Sequence, residues 1–198
     1  MKTNFSKLML LALVAMFTFA SCEKDDSESS KWIVKLGAQS NTTLGAFYSL
    51  SDKKVYTQAD AFNNQAKIDL LCFYEHTETR VNDMTLSSPG ANITGIYTGD
   101  TSVENYTTLN LTLFCPPVDG LTVEEFDLIK NGDQIIETYF VDLGSGNKKA
   151  KLLAVDDIYA FKTQDGTFGI FKVLEVSEPE SVDGWIKFEI KTYKPTLE

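Results

Sequence analysis

The sequence predicts a mainly β domain, a β-rich α+β fold of antiparallel sheets with a C-terminal meander and one or two short helices. Three features predict it. Residues 107–115 alternate cleanly, with Leu109, Leu111, Leu113 and Cys115 set against Thr108, Asn110 and Thr112, the period-two pattern of a half-buried strand. Residues 150–155, 157–163, 167–176 and 184–194 are four further alternating runs, and Gln164-Asp165-Gly166 is a tight hairpin signal between the second and third. Helix signals are sparse by comparison, the best being Thr122-Val123-Glu124-Glu125, where a Thr hydroxyl and a Glu carboxylate are spaced to satisfy each other's orphan backbone donors.

Taken in order, residues 32–36 and 44–50 are short apolar or alternating runs separated by turn residues, and Ser51-Asp52-Lys53-Lys54 turns the chain into Val55-Tyr56-Thr57. Residues 58–67, rich in Ala, Asn and Gln, suit a helical turn. Residues 68–74 are apolar on both faces, which marks a central strand. From 75 to 104 the composition shifts to Thr, Asn, Ser, Gly and Pro, with Ser87-Ser88-Pro89-Gly90 as a turn, so an irregular surface segment is expected. Pro116-Pro117 closes the strand at 107–115. Helical spacing continues from the capping box through Val123, Phe126, Ile129 and Lys130, a second helical stretch is expected within 133–140, and 142–149 reads as a loop.

Ahead of this domain lies an address. Lys2 and Lys7 flank a charged start to the apolar run 8–20, which is too short to span a bilayer as a mature helix and reads as a signal peptide over 1–21. Phe19-Ala20-Ser21-Cys22 resembles the bacterial lipobox, with Phe19 in place of the usual Leu; the resemblance implies lipidation of Cys22. Ordinary secretion with cleavage after Ala20 or Ser21 is the alternative. Residues 22–30 carry nothing apolar to bury and are expected to form a flexible tether. Within it, Lys24-Asp25-Asp26 resembles the surface-export signal of Bacteroidota lipoproteins. That implies an outer-membrane anchor facing the cell exterior; an acidic tether facing the periplasm is the alternative.

Residues 31–198 suffice for one domain with a real core. Loss of Lys2 and Lys7 with the signal takes the formal charge from −10 to −12, which disfavours nucleic acid and anionic membrane surfaces as partners. The membrane contact expected is the N-terminal lipid alone. Cys72 and Cys115 both lie in apolar strand runs, on the side that alternation marks as inward, where they suit either a disulfide or packing as small hydrophobes.

Catalytic chemistry is hard to place. His76 is the lone histidine, which removes His-pair metal sites and a HExxH helix, and a Ser-His-Asp triad would have to use it. No serine sits in a G-x-S-x-G elbow, and Gly144-Ser145-Gly146 lacks the spacing of a dinucleotide loop. The acidic pairs Asp25-Asp26, Glu124-Glu125 and Asp156-Asp157 are sequence neighbours, unlike the facing carboxylates of a glycoside hydrolase. A carboxylate-dependent hydrolase would need two from distant strands. Tyr48, Tyr56, Tyr74, Tyr97, Tyr106, Tyr159 and Trp185 are available either for the core or as a stacking platform for a glycan.

The segments Phe47-Tyr48-Ser49-Leu50-Ser51-Asp52-Lys53-Lys54-Val55, Ile68-Asp69, Phe161-Lys162-Thr163-Gln164-Asp165-Gly166-Thr167-Phe168 and Gly184-Trp185-Ile186-Lys187-Phe188 together resemble the layout of the HmuY-like haem-binding surface lipoproteins, across residues 46–193. The resemblance implies an all-β lipoprotein that captures haem through two axial side chains. Here those would be His76 and Met84, a chemically sound pair for haem iron; histidines are usual in that family, and its Trp-Asp is Ile68-Asp69 in this chain. The expected function is a non-catalytic, surface-anchored ligand-binding or interaction module with no metal of its own. Haem and a glycan are the alternative ligands, and a protein partner at the cell surface is a third.

Overall fold

The structure, a computed structural model, describes residues 31–142 and 147–196. The expected signal peptide, Cys22, Lys24, Asp25, Asp26 and the Gly144-Ser145-Gly146 loop lie outside them. Two five-stranded antiparallel sheets face each other. The first runs in the order β1 (Trp32–Gly37), β10 (Trp185–Tyr193), β9 (Phe168–Val176), β8 (Ile158–Lys162), β6 (Leu113–Cys115). The second runs β3 (Lys54–Tyr56), β2 (Phe47–Ser49), β4 (Leu70–His76), β5 (Val81–Ser87), β7 (Lys149–Ala150). The mainly β fold expected from alternation is the one found.

Strand alternation divides each strand's side chains between two cores. Val34, Leu36, Tyr48, Leu70, Cys72, Met84, Leu86, Phe114, Phe161, Phe171, Ile186 and Phe188 fill the space between the sheets. The alternate residues of β2 and β4, Phe47, Leu71 and Phe73, point the other way and are covered by Ala61, Ile68, Ile93, Tyr97, Val103 and Tyr106. That cover is supplied by α1 (Gln58–Phe62), a 3-10 turn (Gln65–Lys67) and the segment 91–106. β4 is therefore buried on both faces and central, as its sequence predicts. On the first sheet's outer face, Cys115, Ala160 and Ile170 pack beneath Phe126, Ile129, Ile136 and Phe140, contributed by α2 (Val123–Leu128), α3 (Ile135–Thr138) and their flanks.

The capping box is present: the Thr122 hydroxyl accepts from Glu125 N, and the Glu125 carboxylate accepts from Thr122 N at 2.9 Å. Gly166, at φ +82°, makes the expected hairpin between β8 and β9. Other expectations are corrected. Residues 75–104 hold a full strand, β5, because Val81, Met84 and Leu86 pair with β4 despite polar neighbours. Of the run 107–115 just Leu113–Cys115 joins a ladder; upstream, side chains take the backbone donors, with Gln65 Oε1 accepting from Thr107 N and Thr108 N and Gln164 Oε1 from Leu111 N. Residues 150–155 do not open the meander. Lys149–Ala150 pairs with β5 in the opposite sheet, and Leu152 N and Leu153 N donate to Asn82 O and Met84 O.

One burial was not expected. Lys172, Glu189 and Lys191 alternate outward from β9 and β10, yet each is at most 6 % exposed because α2 lies over them. Lys172 Nζ meets Asp127 Oδ1 at 2.5 Å, Lys191 Nζ donates to Phe126 O, and both ammonium groups sit over the Phe126 ring, at 5.1 and 4.3 Å from its centroid. Cations buried in this way need such partners, since desolvation without them is costly.

Candidate functional site

Where the two sheets part at one end of the sandwich they leave an open cleft of about 540 Å³. Each wall comes from a strand end. Trp32 opens β1, Thr192 and Lys194 close β10, Thr163, Gln164, Asp165 and Thr167 form the β8–β9 hairpin, and Leu50, Lys67, Asp69 and Asn110 come from the second sheet and its covering segments. Trp32 Nε1 donates to Tyr48 Oη at 2.6 Å, fixing the indole at the rim, while Lys53 Nζ lies 4.4 Å from its ring centroid.

Two aspartates bring charge into this cleft. Asp69 Oδ2 accepts from Leu50 N at 2.8 Å. Burial pushes its carboxyl up to about 6, against the lowering effect of that bond, and the negative charges of Asp165 and Asp52 add to the rise. Asp165 is also partly buried, but hydrogen bonds from Lys194, Thr163 and Thr167 outweigh burial and hold it well below the usual carboxylate range. Lys194 Nζ meets Asp165 Oδ2 at 2.6 Å and Lys67 Nζ meets Asp52 Oδ2 at 2.9 Å, so both cleft lysines are already paired. Asp165, with both oxygens occupied, is a fixed acceptor and a poor base. Among the described residues no hydrogen bond reaches the other oxygen of Asp69, and near pH 6 that group both accepts and donates. Asn110 and Gln164 are each anchored at one end of their amides, Asn110 Nδ2 to Ala66 O and Gln164 Oε1 to Leu111 N. Their other ends remain for a polar ligand.

The residues singled out in the sequence lie elsewhere. Met84 is fully buried between the sheets, with its Sδ 3.5 Å from Cys72 Sγ. His76 is half-exposed at the β4–β5 hairpin, where its Nδ1 lies 2.6 Å from Asp83 Oδ1. The two are not brought together as an axial pair, because Met84 belongs to a strand and faces the core. Cys72 and Cys115 are free rather than disulfide-bonded. Phe114 takes the inter-sheet face of β6, which turns Cys115 to the opposite face beneath α3, with Val141 N donating to its sulfur at 3.5 Å. Burial raises both thiols above the ordinary cysteine range.

Of the six tyrosines named for a platform, Tyr48, Tyr56, Tyr97 and Tyr106 are buried, Tyr74 is half-buried on β4 and Tyr159 stacks on Phe171 at 5.7 Å between centroids; Lys35 Nζ lies 3.3 Å from the Trp185 ring centroid. Trp32, which lines the cleft, sits in the first strand. A signal for the cleft does exist in the sequence: Asp69 is a lone carboxylate inside the apolar run 68–74.

No known family matches the chain, and no curated protein matches it. A solved structure of a DUF4466 family protein from Parabacteroides merdae is similar, at 16 % identity and a TM-score of 0.49. The alignment covers 82 % of this chain and 53 % of that one, so this chain spans about half of its length. Among the described residues no helix is long and apolar enough to cross a membrane.

Proposed function

We propose that this chain is a lipid-anchored outer-surface protein whose sandwich acts as a non-catalytic module for a small polar ligand, bound in the cleft between Trp32 and Asp69. The observation that carries this reading is the lining itself. An indole at the rim, two anchored amides and one unsaturated carboxylate oxygen suit the combined apolar and hydroxyl surface of a saccharide, in a cavity of the size that small ligands occupy. Asp165 is saturated by three donors, which leaves the cleft without a second free carboxylate for hydrolysis and supports binding over turnover.

Trp32 and Trp185 are the two tryptophans of the chain, so Trp185→Phe leaves the cleft indole as the sole reporter. Titration of that variant with a panel of neutral saccharides is expected to give a saturable fluorescence change, with the sugar recovered intact. A flat response across the panel, or a hydrolysed sugar, contradicts the reading. For the anchor, Cys22→Ala is expected to move the protein from the membrane to the soluble fraction, and unchanged membrane retention contradicts it.

A further inference from the structure

At the opposite end of β4 from the cleft, Arg80, Lys149 and Lys151 stand around a second cavity, of about 500 Å³, where residues 92–96 fold over the outer face of the second sheet. The chain is acidic, at −10 overall, yet this cavity gathers three cations and one carboxylate, Glu75. Glu75 is already committed, to Arg80 Nη1 at 3.3 Å and to the Asn82 amide. Lys149 Nζ donates to the neutral carbonyl of Asn92 at 2.8 Å and lies 5.4 Å from the Phe73 ring centroid. Among the described residues neither Lys149 nor Lys151 forms an ion pair. Lys149 is partly desolvated beside Lys151 and Arg80, with Glu75 the one carboxylate among three cations, and an anion seated there offsets that cost.

We propose that this cavity binds the oxyanion of a small acidic molecule, a phosphate, sulfate or carboxylate group held by Arg80, Lys149 and Lys151, with Ile93 and Ile96 beside its organic body. Burial, and then the neighbouring Lys151, lower the proton affinity of Lys149, with Glu75 opposing them. Thr79, Thr94 and Asn92 supply neutral polar groups around the same space. The site is independent of the Trp32 cleft.

Calorimetric titration of the full chain with inorganic phosphate, inorganic sulfate, phenyl phosphate and benzoate, with benzamide as the neutral control, tests it. At least one anion is expected to bind saturably and more weakly as salt rises, and the preferred arm identifies the oxyanion. Lys149→Gln with Lys151→Gln is expected to weaken binding at least tenfold, and the exposed Lys151→Gln alone several-fold, which keeps the test open if the double variant melts early. Lys130→Gln and the cleft variant Asp69→Asn are expected to leave binding unchanged. Absence of saturable binding in all four anion arms, or binding equally strong in the Lys151→Gln protein, overturns the proposal.

Discussion

Trp32 Nε1 donates to Tyr48 Oη at 2.6 Å, joining β1 of one sheet to β2 of the other at the mouth of the cleft. Burial pushes the Tyr48 phenol up to about 12, so this acceptor stays neutral across the usual pH range. Tyr48→Phe keeps the ring volume and leaves the indole N–H unpaired. It is expected to cost about 1–2 kcal/mol in denaturant unfolding, and a change within experimental error contradicts a structural role for the bond.

Asp69 sets a pH dependence. Its carboxyl rises from an ordinary 3.8 to about 6 in the folded chain, so the fold holds its proton more tightly than the unfolded state does. The associated stability is complete below pH 3.8 and is lost as pH rises through about 6, by about 1–3 kcal/mol in all. Asp69→Asn, which retains an oxygen for Leu50 N, is expected to flatten that profile and to be the more stable protein at pH 8. Parallel profiles for the two proteins across pH 4–8 contradict it.

Phe161 lies across Gly169, its partner in the β8–β9 ladder, and a Cβ at 169 would meet the ring at 2.1 Å. Gly169→Ala is therefore expected to destabilise by about 1–3 kcal/mol through overpacking. Adding Phe161→Leu should recover part of the loss.

Beneath α2, Lys172 depends on Asp127 for its partner. Asp127→Ala leaves an ammonium stranded at 6 % side-chain exposure. Because Asp127 itself is 43 % exposed, the expected loss is about 1–3 kcal/mol, below that of a fully buried pair. Lys172→Met, which removes the charge that needs a partner, is expected to cost less than Asp127→Ala, and the reverse order contradicts this.

Much of the fold is legible in the sequence because alternation reports directly on which strand faces are buried. Apart from Asp69, the run 68–74 is apolar at every position, and β4 is covered on both sides; Thr122 and Glu125 announce α2 by the chemistry of the cap itself. The exceptions have physical causes. β5 reads as polar because Asn82, Thr85 and Ser87 are buried with their side chains hydrogen-bonded, so composition hides a strand. Leu109 and Leu111 alternate as a strand should, but glutamine side chains intercept the backbone donors of 107, 108 and 111 before a ladder forms. The outward lysines 172 and 191 read as solvent-facing because nothing local reveals that α2 packs over them.

The cleft is harder to see, since its groups are far apart in the chain. Trp32, Asp69, Asp165 and Lys194 converge only when β10 runs between β1 and β9, with Trp32 opposite Ile190 and Tyr193 opposite Phe168. Asp165 is visible as a hairpin residue and Asp69 as an oddity in an apolar run, but their approach is a property of the tertiary fold. His76 and Met84 are each chemically able to ligate iron, but which face of β5 the methionine takes depends on pairing that its own segment does not advertise.

The decisive measurement is amide chemical-shift mapping of the full chain during titration with a saccharide that quenches or enhances Trp32 fluorescence. Shifts concentrated at Leu50, Asp69, Leu111 and Thr167 and at the Trp32 indole N–H, and lost in Trp32→Ala, are expected for a ligand seated in the cleft. Shifts confined to any other surface, or persisting in full in Trp32→Ala, would contradict the cleft as the binding site.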